Sequence, residues 1–297
     1  MKILVSGANG QLGKELTRML DTGFAEIGEI PYTLKNAEVI KADIDDLDIT
    51  NINATISFIE NIKPQVIINC SAFTNVDLCE TERDTAFRVN SLGPRNLAIA
   101  AQKVNAKLIH ISTDYVFNGD GNEPYCEYDS CNPQSIYGKT KYLGEQYVRE
   151  FCPKYFIVRT SWLYGYEGNN FVKTIMKLAK EKESIKVVND QRGNPTNAND
   201  LAYHILKLID SNEYGIYHCT GSGECSWYDF ACKIVEYANI SCEVAPCTTS
   251  EFPRPAKRPS YSSLDNMMLR NTIEDEMRFW QDALRNFIKN YEGVNRI

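Results

Sequence analysis

The sequence predicts a doubly wound α/β fold, a parallel sheet with helices on both faces, followed by a smaller C-terminal α/β lobe. Three observations predict it. Short apolar runs alternate with helix-length amphipathic stretches through the first half, the pattern of repeated βαβ units. Those runs are continuously apolar rather than alternating, as strands buried on both faces are. The first of them also leads directly into a turn with glycine at every third position, Gly7, Gly10 and Gly13, that opens a helix.

Taken in order, the first strand is read at residues 3–6 and the first helix at 11–20, with Leu12, Leu16 and Met19 on one face. A strand at 66–70, a helix at 86–104, a strand at 108–112, a helix at 137–151 and a strand at 155–159 follow. Beyond about residue 160 the pattern loosens into a helix at 171–180, a strand at 185–188, a helix at 200–210 and a strand at 215–219. A helix at 227–237, a basic proline-rich stretch at 252–259 and a last helix at 274–291 complete the chain. No repeat, low-complexity segment or flexible linker divides it, so the second lobe is expected to pack on the first.

Composition sets the outer bounds. With 297 residues, 43% of them hydrophobic and 24% charged, the chain fits a globular protein of one large domain with a smaller partner, and not a disordered or fibrous one. Its 32 basic against 39 acidic residues give a net charge of -7, with no basic stripe, so a nucleic-acid partner is not expected. A mean hydropathy of -0.36 and no apolar run approaching 18 residues argue against a membrane span. Residues 1–7 lack the apolar stretch of a secretory signal. The ten cysteines, Cys70 to Cys247, have no Cys-x-x-Cys spacing and make no ligand set with His110, His204 or His218. Reduced thiols, a cytoplasmic location and no metal are the expectation.

The turn Gly7-Ala8-Asn9-Gly10-Gln11-Leu12-Gly13 has a mechanism where it stands. The first glycine permits the tight turn, the second lets a pyrophosphate approach the backbone, and the third lets helix and strand pack closely. Open N–H groups at the helix start then face the phosphates. Within the first strand-turn-helix unit this reads as a Rossmann-like dinucleotide site. The acidic residue expected about 20 positions on, for an NAD ribose, is contested between Glu26 and Glu29, which leaves NADH and NADPH both open. The expected division is 1–160 as the dinucleotide-binding domain, with 185–220 adding to its sheet, and 161–184 plus 221–297 as the substrate lobe. Two look-alikes fail. Gly138-Lys139-Thr140 lacks the Walker glycine five residues earlier, where Pro133 stands, and the acidic run 43–48 has Asp48 where a calcium loop needs glycine.

The strand at 108–112 leads into Thr113-Asp114-Tyr115, and 24 residues after Thr113 comes Tyr137-x-x-x-Lys141. A pair at i and i+4 on a helix shares one face. At roughly 5 Å and an effective dielectric of 20, phenolate and ammonium attract by about 3 kcal/mol, which would bring a phenol from near 10 to near 8. That suits a general acid or base. An exposed helical pair with no chemistry is the plainer alternative. The dinucleotide loop and the Ser-Thr-Asp at the end of a central strand weigh against it, since ligands of such sheets bind at the strands' carboxyl ends.

Across the chain, Gly10 to Gly13, Asp48-Ile49-Thr50-Asn51, the nine residues from Asn69 to Asp77, the six from Ser112 to Phe117, and Tyr137 to Lys141 form a set. Arg159-Thr160-Ser161-Trp162, Gly168-Asn169-Asn170-Phe171, Asn189-Asp190-Gln191 and Arg258-Pro259 extend it. In these stretches the chain resembles the extended short-chain dehydrogenases/reductases, within them the reductases of dTDP-linked 4-keto sugars. The resemblance implies NADPH- or NADH-dependent reduction of the C4 ketone of dTDP-4-dehydro-L-rhamnose. It implies Tyr137 as proton donor, Lys141 as the residue that lowers its pKa and holds the nicotinamide ribose, and Thr113 as the hydroxyl on the sugar's C4 oxygen. Gly7, Asn9, Gly10, Gln11, Leu12, Asp48, Ile49, Cys70, Ser71 and Ala72 match cofactor positions, and Thr113, Asp114 and Trp162 match sugar positions. Cys70, Ser71 and Cys79 stand where the family usually has alanine.

Arg258, inside a family-like Arg-Pro-x-Tyr-Ser, is a candidate for the diphosphate of the sugar nucleotide. Arg254 and Lys257 read as a solvated basic loop. Core packing is an equal reading for Trp162 and Trp227, of which only Trp162 carries a family match. Some members of the family hold magnesium between subunits with glutamates of the second lobe. Asn199 stands at one such position, so no metal is carried over and a monomer or a homodimer is expected. An epimerase or dehydratase of the same fold, which returns its hydride, is one alternative. A non-catalytic binding subunit is the other, and the intact Thr113, Tyr137 and Lys141 count against it.

Overall fold

The computed structural model describes residues 1–292. The strands are β1 (Lys2–Ser6), β2 (Glu38–Ala42), β3 (Val66–Asn69), β4 (Lys107–Thr113), β5 (Tyr155–Thr160), β6 (Ser184–Val188), β7 (Gly215–His218) and β8 (Glu243–Cys247). The main helices are α1 (Gln11–Thr22), α2 (Ile52–Ile62), α3 (Gly93–Lys103), α4 (Ile136–Phe151), α5 (Phe171–Glu181), α6 (Ala198–Asp210), α7 (Trp227–Tyr237) and α8 (Trp280–Glu292).

Six strands form one parallel sheet in the order β7-β5-β4-β3-β1-β2. The chain leaves β1 toward one edge and returns to its other side as β3, so the order reverses between β1 and β3. The crevice at their carboxyl ends is where such sheets bind ligands. One face packs on α1 and α6 through Leu12, Leu16, Leu201 and Ile205. The other packs on α2, α3 and α4 through Ile59, Leu97 and Val148. Each such side chain contributes about 1.5–3 kcal/mol by leaving water, which fixes the strand ends that carry the site.

The second lobe has its own core. Val172 and Ile175 of α5, Phe230 and Ile234 of α7, and Leu284 and Phe287 of α8 close over Ile185 and Val187 of β6. The expected contribution of 185–220 to the central sheet divides here. Gly215–His218 pairs with β5 at the sheet's edge, whereas among the described residues Ser184–Val188 pairs only with Glu243–Cys247, in parallel, in the second lobe.

Three other expectations are corrected. Strand β2 and helix α2 were not foreseen; β2 is an edge strand whose apolar run is broken by Glu38 and Lys41. The single helix at 86–104 is three pieces, Arg83–Phe87, a wide π turn Arg88–Leu92, and α3. Pro94 at the start of α3 has no N–H to continue the ladder. The helix placed at 274–291 begins only at Trp280, after Glu274 takes a left-handed φ of 67°. Residues 293–297 of the expected substrate lobe lie outside the described residues.

Candidate active site

At the carboxyl end of β1 the chain turns through Gly7, with φ 70°; a Cβ there would lie 2.7 Å from the backbone nitrogen of Ser71. A Cβ on Gly13 would lie 2.2 Å from the Gly7 carbonyl oxygen, so α1 packs directly on the turn. Gly10 caps α1 without a side-chain bond. The open N–H groups and positive end of this 12-residue helix fit a diphosphate. Around the turn lies a crevice of about 640 Å³, lined by Gly7, Asn9 and Gly10, by Asp48 and Ile49, and by Cys70, Ser71 and Ala72. The Asn90 amide in the π turn holds the loop after β3, bonding both Phe73 N–H at 2.8 Å and Phe73 O at 3.0 Å.

One carboxylate of this crevice is a residue that sequence reading missed. Asp43, directly after β2, lines this crevice, and it accepts the N–H groups of Asn9 at 3.0 Å and Ile44 at 2.8 Å. Neither expected candidate is there. Glu26 is held by Arg278 at 2.9 Å and Tyr166 at 2.6 Å, and Glu29 pairs with Lys35. The signal that would have found Asp43 is the strand before it, which its charged residues concealed.

A second crevice of about 490 Å³ continues the first, sharing Gly10, Cys70 and Ala72, and adds Gln11, Leu12, Thr113, Asp114, Tyr137, Lys141 and Trp162. Helix α4 supplies two of these. It starts at Ser135, whose hydroxyl accepts the Gly138 N–H at 3.1 Å, and it aligns Tyr137, Lys141 and Glu145 on one face. Thr113, the last residue of β4, donates its hydroxyl to Asp114 Oδ1 at 2.9 Å. Burial pushes the Asp114 carboxyl up to about 6, against the Ser262 and Thr113 hydroxyls that favour its charged form.

The phenol does not titrate near 8 as the pair spacing suggested. Burial raises Tyr137 above the ordinary phenol range, with the Thr113 hydroxyl drawing it partly back. The ammonium of Lys141, 2% exposed, donates instead to the Ile111 carbonyl oxygen at 2.5 Å. Burial pushes Lys141 down to about 8, opposed by the nearby Glu145 and Cys70. Burial likewise keeps the Cys70 thiol protonated, up to about 12. At neutral pH the crevice therefore holds a neutral phenol beside a charged ammonium.

Behind it, Glu145 ties three elements together. It accepts the Ser112 hydroxyl at 2.5 Å and the Arg159 guanidinium at 3.0 and 2.8 Å, with both partners of the ion pair at most 2% exposed. Arg258 is placed elsewhere. It bonds Asp77 at 3.1 Å and the Tyr115 hydroxyl at 3.3 Å, and it lines a neighbouring pocket of about 180 Å³ that meets the crevice at Tyr115. Trp227, which carries no family match, also lines the crevice and stacks on Trp162.

Asn199 donates its amide to Glu15 at 2.6 Å and accepts the Glu26 N–H at 2.8 Å. Among the described residues no cluster of three His, Cys, Asp or Glu could hold a metal ion, and no helix is long and apolar enough to cross a membrane.

A family described as RmlD substrate binding domain matches residues 1–292. The chain is 40% identical over 299 residues to a dTDP-4-dehydrorhamnose reductase of Aggregatibacter actinomycetemcomitans, covering 96% of this chain and 97% of that one. A solved dTDP-4-dehydrorhamnose reductase of Clostridium acetobutylicum is 52% identical with a TM-score of 0.93, covering 98% of this chain and 100% of that one. One of Bacillus anthracis, solved in complex with NADP, is 46% identical with a TM-score of 0.91, covering 97% and 99%. With fold, crevice and second lobe all inside these matches, the chain belongs to the RmlD substrate-binding-domain family, whose similar members here are dTDP-4-dehydrorhamnose reductases.

Proposed function

We propose that this protein reduces the C4 ketone of dTDP-4-dehydro-L-rhamnose to the alcohol of dTDP-L-rhamnose, using NADPH or NADH. It is an NAD(P)-dependent oxidoreductase of the dTDP-4-dehydrorhamnose reductase type. The observation that carries the reading is the meeting of Thr113, Tyr137 and Lys141 in a crevice continuous with the N-terminus of α1.

The turn from Gly7 to Leu12 and the α1 N-terminus hold the cofactor's diphosphate, and Asp48, Ile49 and the loop 70–72 hold its adenosine side. When bound, the reduced nicotinamide supplies the hydride for the C4 carbon. Tyr137 donates its proton to the C4 oxygen as negative charge grows there, and the raised pKa keeps that proton in place until it is needed. Thr113 fixes the same oxygen from the end of β4, so the charge develops against two preset hydroxyls. Lys141 then stabilises the tyrosinate left behind and holds the ribose. Asp114 and Trp162 contact the sugar, and Arg258, in the neighbouring pocket that meets the crevice at Tyr115, is the candidate for its diphosphate.

The expected partner is the sugar nucleotide, with the protein a monomer or a homodimer and neither nucleic acid nor membrane engaged. The ten cysteines are free, in keeping with a cytoplasmic location. The test is to incubate the protein with dTDP-4-dehydro-L-rhamnose and NADPH or NADH. One reduced nicotinamide consumed per sugar converted supports reduction. Sugar conversion without net consumption supports an epimerase or dehydratase, and stable partner binding without conversion supports a binding subunit.

A further inference from the structure

We infer that Trp227 is a positioning residue for sugar recognition: it holds Trp162 as an aromatic wall against which the apolar edge of a 6-deoxy-4-keto pyranose packs. The inference rests on the proposed reaction and adds to it the residue that sets which sugars are accepted.

The two indoles stack with centroids 3.6 Å apart and planes 8° from parallel. Such a stack has a cause on each side. Trp227 is the first residue of α7, behind a capping box in which Ser226 and Asp229 bond each other's backbone, and the Ser226 hydroxyl reaches Asn189 at 2.8 Å. Phe171 supports its ring, with centroids 4.4 Å apart. Trp162 follows the end of β5 with a φ of 46°, a left-handed conformation that a bulky residue adopts only when its surroundings impose it. Its carbonyl accepts the Thr196 N–H at 3.3 Å, and Gly193 comes so near that a Cβ there would lie 2.8 Å from the indole Nε1. Gly193 and Cys225 are directly paired across a short antiparallel ladder, so one small piece of second-lobe structure flanks Trp162 with Gly193 and Trp227.

The contrast with the third tryptophan shows that this is not core packing alone. Trp280 is 4% exposed inside the second-lobe core, whereas Trp162 and Trp227 are half-buried and line the crevice with Thr113 and Tyr137. Strained backbone, a preset stack and exposure toward the reacting groups are the properties of a built recognition surface. A 6-deoxy sugar offers it C–H bonds and a methyl group, which gain dispersion against an indole, while a hydroxyl turned to the same ring face gains no hydrogen-bond acceptor from it.

The test uses the full chain and two probes, dTDP-L-rhamnose and dTDP alone, by calorimetry and circular dichroism. Stacked indoles give an exciton couplet, and it is expected to change when dTDP-L-rhamnose binds to the wild type and not when dTDP binds. Trp227→Ala is expected to abolish the couplet and weaken dTDP-L-rhamnose by about tenfold, the size of a lost aromatic contact with its packing. Its affinities for dTDP and for the cofactor stay within about twofold, and Trp227→Phe recovers most of the loss. An unchanged affinity for dTDP-L-rhamnose in Trp227→Ala, or an equal loss for dTDP, overturns the inference. Should that variant fail to fold, a couplet in the wild type indifferent to dTDP-L-rhamnose overturns it by itself. A wild type that binds neither probe instead overturns the proposed reaction.

Discussion

The ammonium of Lys141 sits 2.5 Å from the carbonyl oxygen of Ile111, on the central strand that ends in Thr113. That bond holds a charged group in a place that penalises charge, one turn before Glu145 on the same helix face. Burial brings Lys141 down to about 8 from its usual 10.5. Between those values the unfolded chain holds a proton that the folded one has lost, so this group makes stability rise with pH across that window. Below about 8 both states are charged and the full cost is present. Lys141→Met is therefore expected to raise the melting temperature at pH 7 while removing activity, with the gain shrinking from pH 8 to 10. Wild-type turnover is expected to fall above about pH 8 as the ammonium is lost. Calorimetry at three pH values and a pH-rate profile check both.

Glu145 and Arg159 form a buried pair at 2.8 Å. Removing one partner leaves an uncompensated charge, which costs about 3–5 kcal/mol. Glu145→Gln is expected to show that loss in denaturant unfolding. Replacing both residues by methionine is expected to recover most of it.

Gly13 offers no space for a methyl group, because its Cβ would meet the Gly7 carbonyl oxygen at 2.2 Å. Gly13→Ala forces α1 off the turn, at about 1–3 kcal/mol or more. Loss of cofactor binding, read by fluorescence of the reduced nicotinamide, is expected to exceed the loss of stability.

Asp43 lines the first crevice, its carboxyl held by the N–H groups of Asn9 and Ile44. A carboxylate there suits ribose hydroxyls and repels a 2′-phosphate. Asp43→Asn is expected to raise the ratio of kcat/KM for NADPH over NADH by about tenfold, or about 1.4 kcal/mol. Steady-state kinetics with both cofactors check it.

Much of this site was legible because its signals are local. The glycine turn, Thr113 at a strand end and the Tyr137–Lys141 spacing each lie within a few residues of sequence. What was hidden depends on tertiary placement. Asp43 follows an edge strand whose exposed Glu38 and Lys41 mask the apolar pattern. Trp227 reads as any core aromatic until α7 is placed against the end of β5. Strand β6 has the composition of a sheet strand, but its partner is β8, nearly 60 residues later. The phenol pKa failed for the same reason, since pair spacing carries the neighbouring charge and not the burial that outweighs it.

In the proposed reaction Tyr137 delivers a proton while a hydride reaches C4. It is tested most directly by turning over dTDP-4-dehydro-L-rhamnose with cofactor deuterated at the transferred position, in wild type and Tyr137→Phe. One deuterium is expected at C4 of the product in the wild type. In the variant the rate is expected to be lower by about a hundred- to ten-thousandfold with cofactor affinity retained. Deuterium absent from C4, or near-wild-type turnover in Tyr137→Phe, would contradict it.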